Sequence, residues 1–158
     1  MTFCFTLLRD RAGVASIEAA LVTVLVLVPM LGGATDAGMI LYTWGKVTRS
    51  EQAGLMSAWG GAASAATMQA AARTAYGTAA VVPTIQASIA CYCLPTATTY
   101  SRGSAAAVGC TTTCGSGQTL TQFATVSVST TVTLPMPVPP IGLTSPFSVG
   151  ASATGRLQ

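Results

Sequence analysis

Two groups of residues in this 158-residue chain have types and spacings suited to chemistry. The first is Glu18, which stands at the head of an otherwise uncharged apolar run, five residues beyond Gly13. An ionisable side chain in a membrane-length apolar segment is costly, so it is read as functional, with a partner to be found. The second is four cysteines in two close pairs, Cys91-Tyr-Cys93 and Cys110-Thr-Thr-Thr-Cys114. Such a set suits two disulfides or a Cys₄ zinc site. A fifth, Cys4, stands apart near the N-terminus. Histidine is absent, which excludes a His-based triad, a His general base and a His-containing zinc site. Charged residues make up 7% of the chain, and the net charge of +3 comes from scattered Lys and Arg without a basic run. Nucleic-acid binding finds no support in that pattern. The chain reads as a non-enzyme, with no cofactor, metal or small-molecule substrate expected.

The element that positions Glu18 is a helix. Seventeen uncharged residues, 19 to 35, separate Glu18 from Asp36, and about 20 helical residues at about 1.5 Å each cross a hydrocarbon core of about 30 Å. A transmembrane helix over 14–41 is expected. Arg9 and Arg11 precede it, which keeps the N-terminus cytoplasmic, and Tyr42 and Trp44 follow where an interfacial aromatic belt would lie. Pro29 should kink the helix unless neighbouring helices satisfy the freed carbonyl. Gly33 with Ala37, and Ala34 with Gly38, are small residues four apart, a spacing that lets helices approach closely in lipid; an Ala-rich chain also produces such pairs without purpose.

Beyond Asp36 the pattern stays helical to about Trp59, although its apolar residues form no single clean face; Lys46, Arg49 and Glu51 lie on the polar side. Gly60-Gly61 marks an end or hinge, and the Ala-rich stretch from Ser64 to Ala80 reads as a second helix ending near Gly77 and closed by Pro83. Then the period changes to two. Ile85, Ala87, Ile89, Cys91 and Cys93 alternate in one segment, Val126, Val128, Thr130, Val132 and Leu134 in another, and Phe147, Val149, Ala151 and Ala153 in a weaker third. The connector Pro135-Met-Pro-Val-Pro-Pro140 must be an extended loop. The fold class expected is α+β: a long N-terminal transmembrane helix, a second Ala-rich helix, and an antiparallel sheet of about three strands carrying a disulfide-bearing loop.

Gly13, four residues, Glu18 and an apolar helix, preceded by Arg9-Asp-Arg11, resemble a type IV prepilin. The resemblance implies that a cytoplasmic-face peptidase cuts between Gly13 and Val14, making Glu18 the fifth mature residue. The new α-amine, with a reference pKa of about 7.7–8.0, would be cationic and would need a counter-charge in lipid. The stretch Arg11-Ala-Gly-Val-Ala-Ser-Ile-Glu18, the apolar run and Asp36-Ala-Gly-Met-Ile-Leu-Tyr42, followed by a polar helix, resembles TadE-like proteins, pseudopilins of the tight-adherence (Tad, or Flp) pilus. Asp36 and Gly38 match the acid and glycine that follow the span in that family, whereas Met39 stands where Arg is common. The resemblance implies a minor pseudopilin that works with a prepilin peptidase, other pilins and the inner-membrane assembly machinery. It would be a single-pass protein of the bacterial inner membrane with its C-terminal part in the periplasm. The expected divisions are a leader over 1–13, the span over 14–41, a helical region over 42–80 and a small β-rich domain over 81–158.

That topology bears on the cysteines, because periplasmic thiols are oxidised. Cys91 and Cys93 share one strand face and do not suit each other as partners, so bridges are expected from the strand to the Cys110–Cys114 loop, while Cys4 falls in the leader. A rival reading makes residues 9–34 a secretory signal peptide cut after Ala34, releasing a binding module. Glu18 and the length of the apolar run fit it poorly. A protein that is anchored and never processed is the third reading.

Overall fold

The computed structural model describes residues 11–61, 64–95, 105–135 and 145–157, with side chains from Ser16 onward. Cys4, residues 1–10 of the leader expected over 1–13, and residues 136–140 of the proline-rich connector lie outside the described residues. In chain order the elements are α1 (Arg11–Val22), a π-helical turn (Thr23–Leu27), α2 (Val28–Trp59), α3 (Ala65–Tyr76), β1 (Thr84–Pro95), β2 (Gln118–Val132) and β3 (Phe147–Leu157). The chain divides into two compact units, one of residues 1–40 with 133–147, the other of residues 41–132 with 148–158.

The first unit is dominated by the apolar helix. Every residue from Ser16 to Leu31 is exposed, including Leu25 and Leu31 at 68% each. This helix is long and apolar enough to cross a membrane, with a mean hydropathy of 2.1 over its apolar window. Pro29 lacks an N–H, and its ring crowds the carbonyl of Leu25 four residues back. Leu25 sits within the π-helical turn, where the wider winding gives that carbonyl room. The helix thus absorbs the proline by local widening and resumes at Val28.

The second unit is a helical hairpin on a sheet. In its helical part Val47, Ser50, Glu51, Gly54, Leu55 and Ala58 are buried, a stripe with helical period. This corrects two sequence expectations. A single face does exist, and Glu51 lies on it at 6% exposure rather than on the polar side. The face escaped notice because half of it is Ser, Glu and Gly, residues that carry no hydropathy signal.

Helix α3 returns antiparallel along that stripe. Ser50 Oγ donates to the Ala72 carbonyl at 2.7 Å, and a Cβ on Gly54 would stand 3.2 Å from the Met68 carbonyl. Met68, Ala72 and Tyr76, spaced by four, are the buried face of α3. The helix starts at a capping box: Ser64 Oγ accepts from Thr67 N at 3.1 Å, and Ser64 N donates to Thr67 Oγ1 at 3.2 Å. It stops at Gly77, whose φ of 74° suits a residue without a Cβ. The helix therefore ends at Tyr76, next to the Gly77 at which the sequence pattern places its end.

The three strands form an antiparallel sheet ordered β1-β2-β3. In the β1–β2 register Ile85 faces Val128, Ala87 faces Val126, Cys91 faces Gln122 and Cys93 faces Leu120. One sheet face packs on α2, where Val126 Cγ1 would lie 3.1 Å from a Cβ on Gly54. At the opposite end of β1 the other face is buried too. There Tyr92, Leu94 and Phe123 cluster with Ala90 and Ala105, with the Tyr92 and Phe123 rings edge to face at 5.6 Å. The alternation in the sequence marked only the Cys91 and Cys93 side of this strand.

Candidate functional site

Gly13 and Val14 lie in the first turn of α1, and Glu18 follows about a turn later as an exposed residue on the same helix. No break separates these positions from the apolar run. Asp36 is fully buried, one of the few buried acids in the described residues, whereas Ala34, Ala37 and Gly38 are exposed and Gly33 is half-buried. A Cβ at Gly33 or Gly38 would meet nothing within 4 Å. These small residues therefore leave open space along α2.

The cysteines are joined in two bridges, Cys91 to Cys110 and Cys93 to Cys114, with Cα separations of 5.1 and 5.6 Å. Both run from β1 to the loop that precedes β2. Cys91 is fully buried and Cys110 is exposed. Val108 N donates to the Cys91 carbonyl at 2.8 Å, so the loop also adds a short backbone pairing along β1. Within the loop, Thr112 N bonds the Gly109 carbonyl at 2.9 Å and Gln118 N the Gly115 carbonyl at 3.1 Å. Paired sulfurs offer no thiolate to a metal, so the arrangement is a staple. It holds the loop against a strand end where the core consists of little more than Tyr92, Leu94 and Phe123.

Residues 13–50 match the family described as TadE-like protein. The N-terminal segment is TadE-like. TadE-like proteins are components of Tad pilus systems, and the match associates this chain with such a system. It takes in Gly13, Glu18, the apolar run, Asp36 and Gly38, and it ends within the first turns of the stripe buried against α3. No curated protein and no solved structure matches the chain.

One cluster near the end of the matched segment was not singled out from the sequence. Lys46 Nζ lies 5.6 Å from the Tyr42 ring centroid and 5.0 Å from that of Tyr76, and it donates to the Thr78 carbonyl at 3.4 Å. A cation between two aromatic faces is stabilised by their quadrupoles, by about 0.5–1 kcal/mol where exposed. Tyr42 and Lys46 at i, i+4 were visible as a helical pair. Tyr76 and Thr78 are thirty residues or more away in sequence, and only the antiparallel return of α3 brings them there.

Proposed function

We propose that this chain is a membrane-anchored minor pseudopilin acting in assembly of a Tad-type adhesion pilus. The observation that carries the reading is that the TadE-like match over 13–50 falls on an unbroken run of helical turns whose side chains from Ser16 to Leu31 are all exposed. An apolar helix of that length, its side chains exposed over sixteen successive residues, belongs in lipid. Arg9 and Arg11 before it place the N-terminus in the cytoplasm, and the disulfide-bonded unit then faces an oxidising periplasm.

In this reading a prepilin peptidase cuts between Gly13 and Val14. Glu18 then supplies the carboxylate that compensates a cationic α-amine as subunits meet in the membrane. Gly33, Ala34, Ala37 and Gly38 give the helix a smooth side on which the helices of other pilins or pseudopilins can pack closely. Asp36 and Gly38 mark the point where the span gives way to the outer unit. The role is structural and not catalytic. The rival cut after Ala34 would fall inside α2, and no specific observation favours it.

Glu18→Leu in the host tests this directly. Membrane insertion should survive, and co-isolation with other pilus components should fall severalfold. Full retention of that association would refute the role assigned to Glu18. Better release of a processed chain into the periplasm would instead support the secreted reading, because the change lengthens an apolar signal core.

A further inference from the structure

We infer that the loop from Gly77 to Pro83 is a second membrane contact, with Val81 and Val82 seated in the headgroup boundary of the outer leaflet. The inference rests on the membrane-anchored reading above. Its ground is the direction of α3. Each step of four down α2, from Gly54 to Ser50 to Lys46, meets a step of four up α3, from Met68 to Ala72 to Tyr76. Helix α3 therefore runs back toward the position at which the apolar run enters the second unit.

Lys46 fixes the end of that return. Its ammonium donates to the Thr78 carbonyl and lies between the rings of Tyr42 and Tyr76. The start of the 77–83 loop is thus held at the level of Tyr42 and Trp44, which are 69% and 54% exposed and sit where the span meets water. Past Thr78 the loop carries Val81, 41% exposed, and Val82, at 83% the most exposed large apolar residue among those described. Val82 and Pro83 also border an open cavity of about 300 Å³ that reaches Tyr76, Ala79 and Arg73.

Lipid is the occupant that fits. The exposed apolar residues lie at the one end of the unit where the chain enters from the apolar helix. Lys46 bonds the loop at Thr78 and Arg73 lines the cavity beside Val82, and among the described residues of this unit no acid is exposed, which suits anionic headgroups. A contact of this kind reaches about 5–10 Å into the headgroup and acyl boundary. It would restrain tilting of the outer unit about its single anchor.

The test uses the full chain with Cys4→Ser, reconstituted in vesicles of phosphatidylethanolamine and phosphatidylglycerol. One thiol is added at a time for a fluorophore, as Val82→Cys, Met56→Cys or Leu25→Cys. All three positions are exposed, so the label disturbs no packing. Quenchers attached to the lipid chains should quench Leu25 strongly, Met56 little and Val82 about twofold more than Met56, as a boundary position requires. Quenching at Leu25 with Val82 no deeper than Met56 would overturn the loop contact and leave the anchor intact. A Leu25 label as unquenched as Met56 would overturn the anchor, and the loop contact with it.

Discussion

Gly54 sets how closely α2, α3 and β2 approach. A Cβ there would stand 3.1 and 3.3 Å from the two Val126 methyls and 3.2 Å from the Met68 carbonyl, and a backbone carbonyl yields little. Gly54→Ala gains about 1 kcal/mol of helix propensity and meets an overpacking cost of about 1–3 kcal/mol. The expected net result is a loss of stability. Gly45→Ala, with nothing within 4 Å, should instead gain about 1 kcal/mol. Thermal unfolding of the full chain in micelles compares the two, and an equal gain at both positions would contradict the packing described. Glu51 gives a pH prediction. Burial raises its pKa above the usual carboxylate value. The folded state then holds the proton to higher pH than the unfolded chain does, so stability is highest below the unfolded pKa and falls as pH rises through the folded one. Glu51→Gln should therefore be more stabilising at neutral pH than in acid, and unfolding curves at the two pH values would show it. At this scale the sequence was only partly legible. Glu51 read as a surface acid because a charged residue mid-helix between Ser50 and Gln52 usually is one. Its burial is a product of tertiary packing that no local pattern displays.

The elements themselves were much easier to read. Ser64 before an Ala-rich run, Gly77 after it and Pro83 beyond are backbone signals that act locally, so they survive without tertiary information. The strands declared themselves by alternation at Ile85, Val126 and Val149. What alternation could not show was the second face of β1, where Tyr92 and Leu94 are covered only because Phe123 and Ala105 arrive from elsewhere in the chain. The π-helical turn was equally hidden: Pro29 announced a disturbance, and its form depended on how the helix accommodates the Leu25 carbonyl. Two predictions belong here. Ser64→Ala removes the Ser64 hydroxyl that accepts from Thr67 N, leaving the Ser64 N to Thr67 Oγ1 half of the capping box, and should cost about 1 kcal/mol, read as a lower unfolding midpoint. Replacing Cys91 and Cys110 together by Ala opens a bridge spanning 19 residues and should cost about 2–4 kcal/mol. An unchanged midpoint after that double substitution would mean that the loop is held by its backbone pairing and the Tyr92 cluster alone.

At the scale of the whole molecule, the chain joins a helix long and apolar enough to cross a membrane with a second unit whose core rests on few large side chains. Aromatic residues are 6% of the sequence, and the outer unit compensates with Gly-mediated close packing and two disulfides. That economy is consistent with a part whose work is done by its helix, in contact with other helices. The TadE-like match covers that helix and the turns up to residue 50, while the sheet and its stapled loop lie outside it. The central claim is processing at the head of the helix, and the most direct measurement is the mature N-terminus and intact mass of the protein isolated from its host's membranes. A chain beginning at Val14, with two disulfides in the mass, is the predicted result. A chain beginning at Thr35, or one retaining Met1, would contradict it: the first would make the protein a secreted module, and the second would leave Glu18 without the amine it is proposed to serve.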